Sequence, residues 1–295
     1  MTLESWAMAG AGLGALVAGL ALVRKRFDAA GGVDKVLALG PLFYAVALAI
    51  FAAEHFTAAR DLMGIVPKWL PWPLFWTYFV GAAWLAAAIS FLAWIEVRWS
   101  AALTALMMFL IVATADLPNL AGHAHERFFW ILTARETAFG CGAMVLAGSQ
   151  WQSRKNAAGT ALVWIGRWMI AAVMVFYGIT HFLYPGHMPG VPLQAMMPPW
   201  MPAPRLIAYV VGMVLLAGGL GLFLPRRARE SAAGAGVVLL LLTAFFYVPI
   251  FVLEMHSAKA VEGLNYVGDT MLWAATVLLA GLGVEARMTR GLSSV

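Results

Sequence analysis

The chain has 295 residues, 63% of them hydrophobic and only 11% charged, with a mean hydropathy of +0.84. A soluble domain carries roughly 25% charged residues because its surface must be solvated, so a water-soluble globular architecture is excluded. The formal net charge of +5 requires no nucleic-acid partner, because most basic residues fall where anionic inner-leaflet lipids would attract them.

A bilayer span needs about 20 mainly apolar residues. Nine such runs follow one another, at about 5–23, 36–53, 74–95, 101–117, 129–149, 160–180, 206–224, 232–253 and 264–284. The fifth is interrupted by Arg135 and Glu136. In the first run the basic cluster Arg24-Lys25-Arg26 follows the apolar stretch, whereas a cleavable signal peptide carries its positive charge before it. That run reads as a first helix with its N-terminus outside. Of the 19 Lys and Arg residues, 12 fall on one alternate set of connecting segments and 6 on the other. The excess marks the cytoplasmic side and predicts an outside N-terminus and a cytoplasmic C-terminus. The single cysteine, Cys141, lies inside an apolar run and permits neither an internal disulfide nor a dithiol couple.

The chain carries an internal duplication. Gly40, Ala45, His55 and Phe56 match Gly166, Ala171, His181 and Phe182 at one constant spacing. After a small insertion, Trp69, Pro71, Gly81, Arg98, Pro118 and His125 match Trp200, Pro202, Gly212, Arg229, Pro249 and His256. After a second insertion, Glu136-Thr137 matches Asp269-Thr270 and Leu146-Ala147-Gly148 matches Leu279-Ala280-Gly281. Each unit has four helices, an even number, so the two share one orientation and form parallel repeats. The fold class predicted is all-α: a polytopic membrane protein of nine transmembrane helices, in which a leading helix precedes two tandem four-helix bundles. The boundaries fall at 1–35 for the leading helix and basic linker, 36–150 and 159–284 for the two modules, and 285–295 for a cytoplasmic tail.

His-Phe closing a helix, a Pro-rich stretch such as Val66-Pro67-Lys68-Trp69-Leu70-Pro71, and a helix opening toward Gly81 resemble the DoxX-like family; His181-Phe182, Pro198-Pro199-Trp200-Met201-Pro202 and Gly212 repeat the pattern. The resemblance covers both units and omits the leading helix. It implies a four-helix membrane module, often an accessory subunit of quinone-dependent or thiol redox systems. Two fused modules depart from the single module of typical members, and the lone cysteine argues against thiol exchange.

Ionisable groups at membrane depth carry a cost and need a reason. The repeated constellation is His55, His125 and Glu136 in one unit with His181, His256 and Asp269 in the other. Each trio is expected to converge on an outer-leaflet pocket, where an imidazole beside a carboxylate can pass protons or hold a polar ligand. The alternative is an interhelical hydrogen-bond cluster retained from the duplication. Glu54, Arg60, Asp61 and Arg135 add charge to the first unit only, and Arg135 is expected to neutralise Glu136 or pair with Asp116. His123-Ala124-His125-Glu126 invites a metal reading, but the second unit keeps only His256, so a solvated loop is preferred and no metal is assigned.

Segment 181–205 holds Tyr184, His187, Gln194, Trp200 and seven prolines. Proline stops helices, which predicts an extended or re-entrant lid over the second unit. Its Trp and Met residues would line a quinone path or form an interfacial aromatic belt. No phosphate-binding glycine loop, paired-Cys motif, haem-attachment motif or nucleophile elbow occurs. The reading is a bacterial inner-membrane protein with lipid bilayer contacts, a redox partner subunit and an apolar ligand of the quinone type. A transporter, a membrane isomerase or lyase, and a purely structural subunit are the alternatives.

Overall fold

The protein was analysed as a computed structural model, which describes residues 1–152, 157–191 and 195–283. Its described segments are helical, joined by turns, with one isolated antiparallel bridge between His187 and Met196. Helix α1 (Leu3–Ala29) starts at Thr2, whose Oγ1 accepts the Ser5 N–H at 3.2 Å, a side-chain cap for a backbone donor that the helix cannot satisfy itself. A short α2 (Val33–Leu37) leads into α3 (Gly40–Thr57). The next elements are α4 (Ala59–Leu62), a 3-10 turn at Met63–Ile65, and α5 (Pro73–Ala93). Proline at the first position of α5 removes a donor that would be orphaned there anyway.

Two helices share an unusual break. Helix α6 (Val97–Ile111) passes through a π-helical turn, Val112–Asp116, into α7 (Leu117–Gly122). After α8 (Arg127–Gln152), α9 (Ala157–Leu183) and α10 (Pro204–Phe223), helix α11 (Ala228–Leu242) passes through a second π turn, Thr243–Tyr247, into α12 (Val248–Glu254). Pro118 and Pro249 follow these turns. Proline cannot donate to the carbonyl four residues back, and a wider turn accommodates both the lost bond and the ring. Helix α13 (Ala260–Leu279) closes the described chain.

Among the described residues, seven segments are long and apolar enough to cross a membrane: Leu3–Ala29, Val33–Thr57, Pro73–Ala93, Val97–Gly122, Ala157–Leu183, Pro204–Phe223 and Ala228–Glu254. Large apolar side chains such as Leu13, Phe75, Leu103, Met213, Leu220 and Phe245 stand exposed on their outer faces. Water would penalise so large an apolar surface, whereas lipid solvates it. The chain is an integral, all-helical membrane protein.

Nine runs were expected. The remaining two helices, α8 and α13, lie outside this apolar class because of their charges: Arg127, Arg135 and Glu136 on one, Glu262 and Asp269 on the other. Both are sheltered by neighbours. Adjacent helices form a closed circuit α3–α5–α6–α8–α9–α10–α11–α13 and back to α3, with α8 against α13 across the middle and α1 outside against α3 and α5. The central helices carry the polar groups and the peripheral ones face lipid. The expected tail at 285–295 lies outside the described residues.

Candidate functional site

The middle of the circuit holds a charge cluster. Arg135 of α8 donates from Nε and Nη2 to Glu136 Oε1 at 3.2 and 2.9 Å, and from Nη1 to Asp269 Oδ2 of α13 at 2.6 Å. The three side chains are only 13–18% exposed. In a low-dielectric interior an unpaired charge is heavily penalised, so one guanidinium serving two carboxylates accounts for their presence. One turn before Asp269 on the same helix, Asn265 donates to Glu54 Oε1 of α3 at 2.8 Å. Asn265 and Asp269 are four residues apart and share a face of α13. That face therefore meets one acidic position, Glu54, and one basic position, Arg135, of the first half of the chain.

This arrangement corrects the expected pairing. Glu136 and Asp269 do not sit in two separate trios, each with its own histidines, but share Arg135 in one cluster. His125 and His256 do not join them. Both stand exposed in turns, His125 beside Glu126 at 3.9 Å. Their sequence match placed them at equivalent points, but those points lie in solvent-facing connections, where an imidazole needs no protein partner. The expected neutralisation of Glu136 by Arg135 is present, and Asp116 lies close enough to both for their charges to act on it. Arg60 and Asp61 are exposed and outside the cluster. His123 stacks on Phe129 with ring centroids 4.5 Å apart and contacts the Asn119 carbonyl through Nδ1 at 2.9 Å. Among the described residues no group of three or more His, Cys, Asp or Glu is placed to hold a metal ion.

The two remaining histidines occupy matching local settings. His55 Nδ1 faces the Phe51 carbonyl at 2.8 Å, and His181 Nδ1 faces the Tyr177 carbonyl at 2.6 Å. A nitrogen held against a carbonyl is the protonated one, so in each ring Nε2 is the acceptor. A glycine lets the next helix approach each histidine. A Cβ on Gly81 would lie 2.7 Å from His55 Cβ, and one on Gly212 would lie 2.8 Å from His181 Cβ.

What covers each histidine differs. The Pro-rich segment after α9 turns back into the bundle, with Met188, Pro189, Gly190, Val191 and Met197 buried. The Gly190 N–H donates to His181 Nε2 at 2.8 Å, and the Tyr247 hydroxyl donates to the Pro189 carbonyl. Gly190 has φ +89°, and a Cβ there would lie 2.6 Å from Leu242, so a side chain is excluded by both conformation and space. The Arg127 guanidinium lies 4.3 Å from the Tyr184 ring centre and steadies the segment from α8. Partial burial and that guanidinium push the His187 imidazole below its ordinary pKa. The lid expectation is thus met by a segment that inserts. Trp200 and Met196 on it are exposed, whereas Gln194 and Pro192 lie outside the described residues.

The equivalent connection in the first half stays outside, with Met63, Ile65, Trp69 and Trp72 exposed. Nearby, the Trp84 ring lies 4.6 Å from His55 and 5.7 Å from Phe51. Its Nε1 is buried without a hydrogen-bond partner among the described residues, as are Asp116 Oδ2 and Asn265 Oδ1. Trp84, Asn265 and Tyr247 were not singled out from the sequence. Trp and Tyr in an apolar run are ordinary packing residues, and only their unmatched or cross-helix polar atoms mark them.

A family described as "Domain of unknown function (DUF8561)" matches residues 44–138. That stretch runs from within α3 to just beyond Glu136 and includes His55, Trp84, Asp116 and Arg135. No curated protein and no solved structure matches the chain.

Proposed function

We propose that the chain is a DoxX-like accessory subunit of a quinone-linked membrane redox system, made of a leading helix and two parallel four-helix units with nine crossings in all. It sits in a bacterial inner membrane with its N-terminus outside, beside a redox partner subunit. Repetition is supported by local detail. The two π turns lie at matching positions of the aligned units. So do the residues of positive φ before a helix-opening proline, Trp72 at +55° and Ala203 at +47°, and so do the two histidine–glycine contacts. Wide π turns are rare and cluster at functional sites, so their recurrence argues for common descent of the halves.

The observation that carries the functional reading is the Arg135–Glu136–Asp269 cluster, with the unpartnered Asp116 oxygen on the neighbouring π turn, inside a largely apolar bundle. Such a site offers apolar walls, aromatic rings and a few convergent polar groups, the makeup of a small-molecule pocket. A quinone matches that makeup because its head is flat, apolar and polar only at its two oxygens. No residue is assigned a catalytic step.

The test is mass spectrometry of small molecules that accompany the full-length protein extracted in native lipid. A quinone enriched over the surrounding membrane is the expected result. A preparation free of quinone that also fails to bind added quinone overturns the reading. Transport is the second reading, favoured by parallel halves that meet on charged helices. Solute flux into proteoliposomes that is lost in Asp116→Asn, a variant of unchanged melting temperature, would establish it instead.

A further inference from the structure

We propose that the first half alone holds the ligand, between His55 Nε2, the Trp84 indole N–H and the Asp116 carboxyl, while the second half fills the equivalent place with its own backbone. The inference rests on the quinone reading and on the duplication, and it specifies where in the molecule the quinone head binds.

The second half shows what such a place accommodates. Pro189 C=O and Gly190 N–H belong to one planar peptide group. Tyr247 holds its oxygen, and His181 Nε2 holds its N–H at 2.8 Å. Leu239, Leu242 and Thr270 pack around Gly190. In the aligned first half His55 stands for His181, and Asp116 stands for Tyr247. Met108, Ile111 and Thr137 stand for the three packing residues.

No segment of the first half enters that position. Its connection is five residues shorter and passes over the outside as α4 and the 3-10 turn, with Arg60, Asp61, Met63 and Ile65 exposed. No described residue donates to His55 Nε2. Asp116 is 7% exposed with Oδ2 unpartnered, and Trp84 Nε1 is likewise buried and unpartnered. Each buried, unsatisfied group costs about 1–3 kcal/mol, so the Trp84 N–H beside the His55 ring and the Asp116 oxygen at the position aligned with Tyr247 point to a complementary partner.

The chemistry narrows that partner. The Trp84 N–H requires an acceptor, whereas His55 Nε2 and a carboxylate require donors. A quinol hydroxyl is both donor and acceptor, and a quinone carbonyl accepts. A flat ring also suits the neighbourhood of Phe51, His55 and Trp84, whose centroids lie 4.6 and 5.7 Å apart.

The test uses the full-length protein in nanodiscs, a short-chain benzoquinone and its reduced form as probes, tryptophan quenching for affinity and thermal melting for stability. His55→Ala and Asp116→Asn should each weaken binding of the reduced form, whose hydroxyl can donate to them, about tenfold, the worth of one lost hydrogen bond, with little change in melting. His181→Ala and Tyr247→Phe should lower melting and leave the affinity unchanged. If His55→Ala does not fold, His55→Gln, which keeps an acceptor, should restore both stability and binding, and Trp84→Phe provides an independent readout. Quinol that binds the wild type and every first-half variant equally, or that responds only to second-half variants, overturns the site and leaves the quinone reading standing. A wild type that binds no quinone but co-purifies with another amphiphile, lost on His55→Ala, overturns the quinone reading and supports the first-half site.

Discussion

His55 and His181 end corresponding helices, turn the same nitrogen to the same carbonyl, and sit over the same glycine approach. They differ in what meets the other nitrogen. At His181 it is the chain's own Gly190; at His55 no described residue arrives. The difference follows from loop length, since the five extra residues after His181 let a Pro-rich segment turn inward, while the shorter connection after His55 passes over the outside. The same local setting is therefore closed by the chain's own backbone in one half and left without a backbone partner among the described residues in the other.

Four substitutions break or sharpen that comparison. The largest effect is expected at the junction of the halves. Arg135→Met strands Glu136 and Asp269 without a cation and should cost about 3–5 kcal/mol. A triple replacement that also neutralises both acids should recover most of the loss in melting temperature. Destabilisation of less than about 1 kcal/mol, the range of an exposed pair, would mean that the two halves do not depend on this contact. Next comes Gly190→Ala, which places a Cβ at φ +89° against Leu242. Strain of this kind costs about 1–3 kcal/mol, read as lower thermal stability, and the comparable Gly64→Ala on the first connection, where no atom lies within 4 Å, should be neutral. Tyr247→Phe removes the donor to the Pro189 carbonyl and is expected to cost about 1–2 kcal/mol. Asp116→Asn at the matching position should cost little, and equal losses would erase the distinction between the halves. Smallest is Arg24→Ala. The Arg24–Asp28 pair is largely exposed, and exposed pairs contribute at most about 1 kcal/mol, so melting within experimental error of the wild type is expected.

The helices were largely legible because bilayer spans announce themselves as apolar runs: the run expected at 74–95 is the helix Pro73–Ala93, and that at 206–224 is Pro204–Phe223. The π turns were not legible, since Val112–Asp116 and Thr243–Tyr247 share only one alanine, Ala113 with Ala244, and the proline that follows. Pairing within the site misled in one direction. Matching residues one by one between units put Glu136 and Asp269 in separate places, whereas the geometry sets α8 against α13 and lets one arginine take both. Nothing in a one-dimensional alignment states that the two fourth helices meet. The exposed positions of His125 and His256 show the same limit: a matched pair of residues in sequence says nothing about depth. The proline density of 181–205 did signal the inserted segment, because that backbone cannot continue a helix.

The Arg135–Asp269 contact spans 134 residues of sequence, and that separation has a consequence for biogenesis. On the nine-crossing reading, α8 emerges from the ribosome long before α13. Through that interval Arg135 has Glu136 beside it on the same helix, so α8 can enter the lipid phase as a neutral pair. Asp269 has no cation on its own helix; α13 arrives anionic and is retained only where Arg135 already waits. Assembly thus acquires a direction, with the first half able to insert before the second and the last helix dependent on its predecessor.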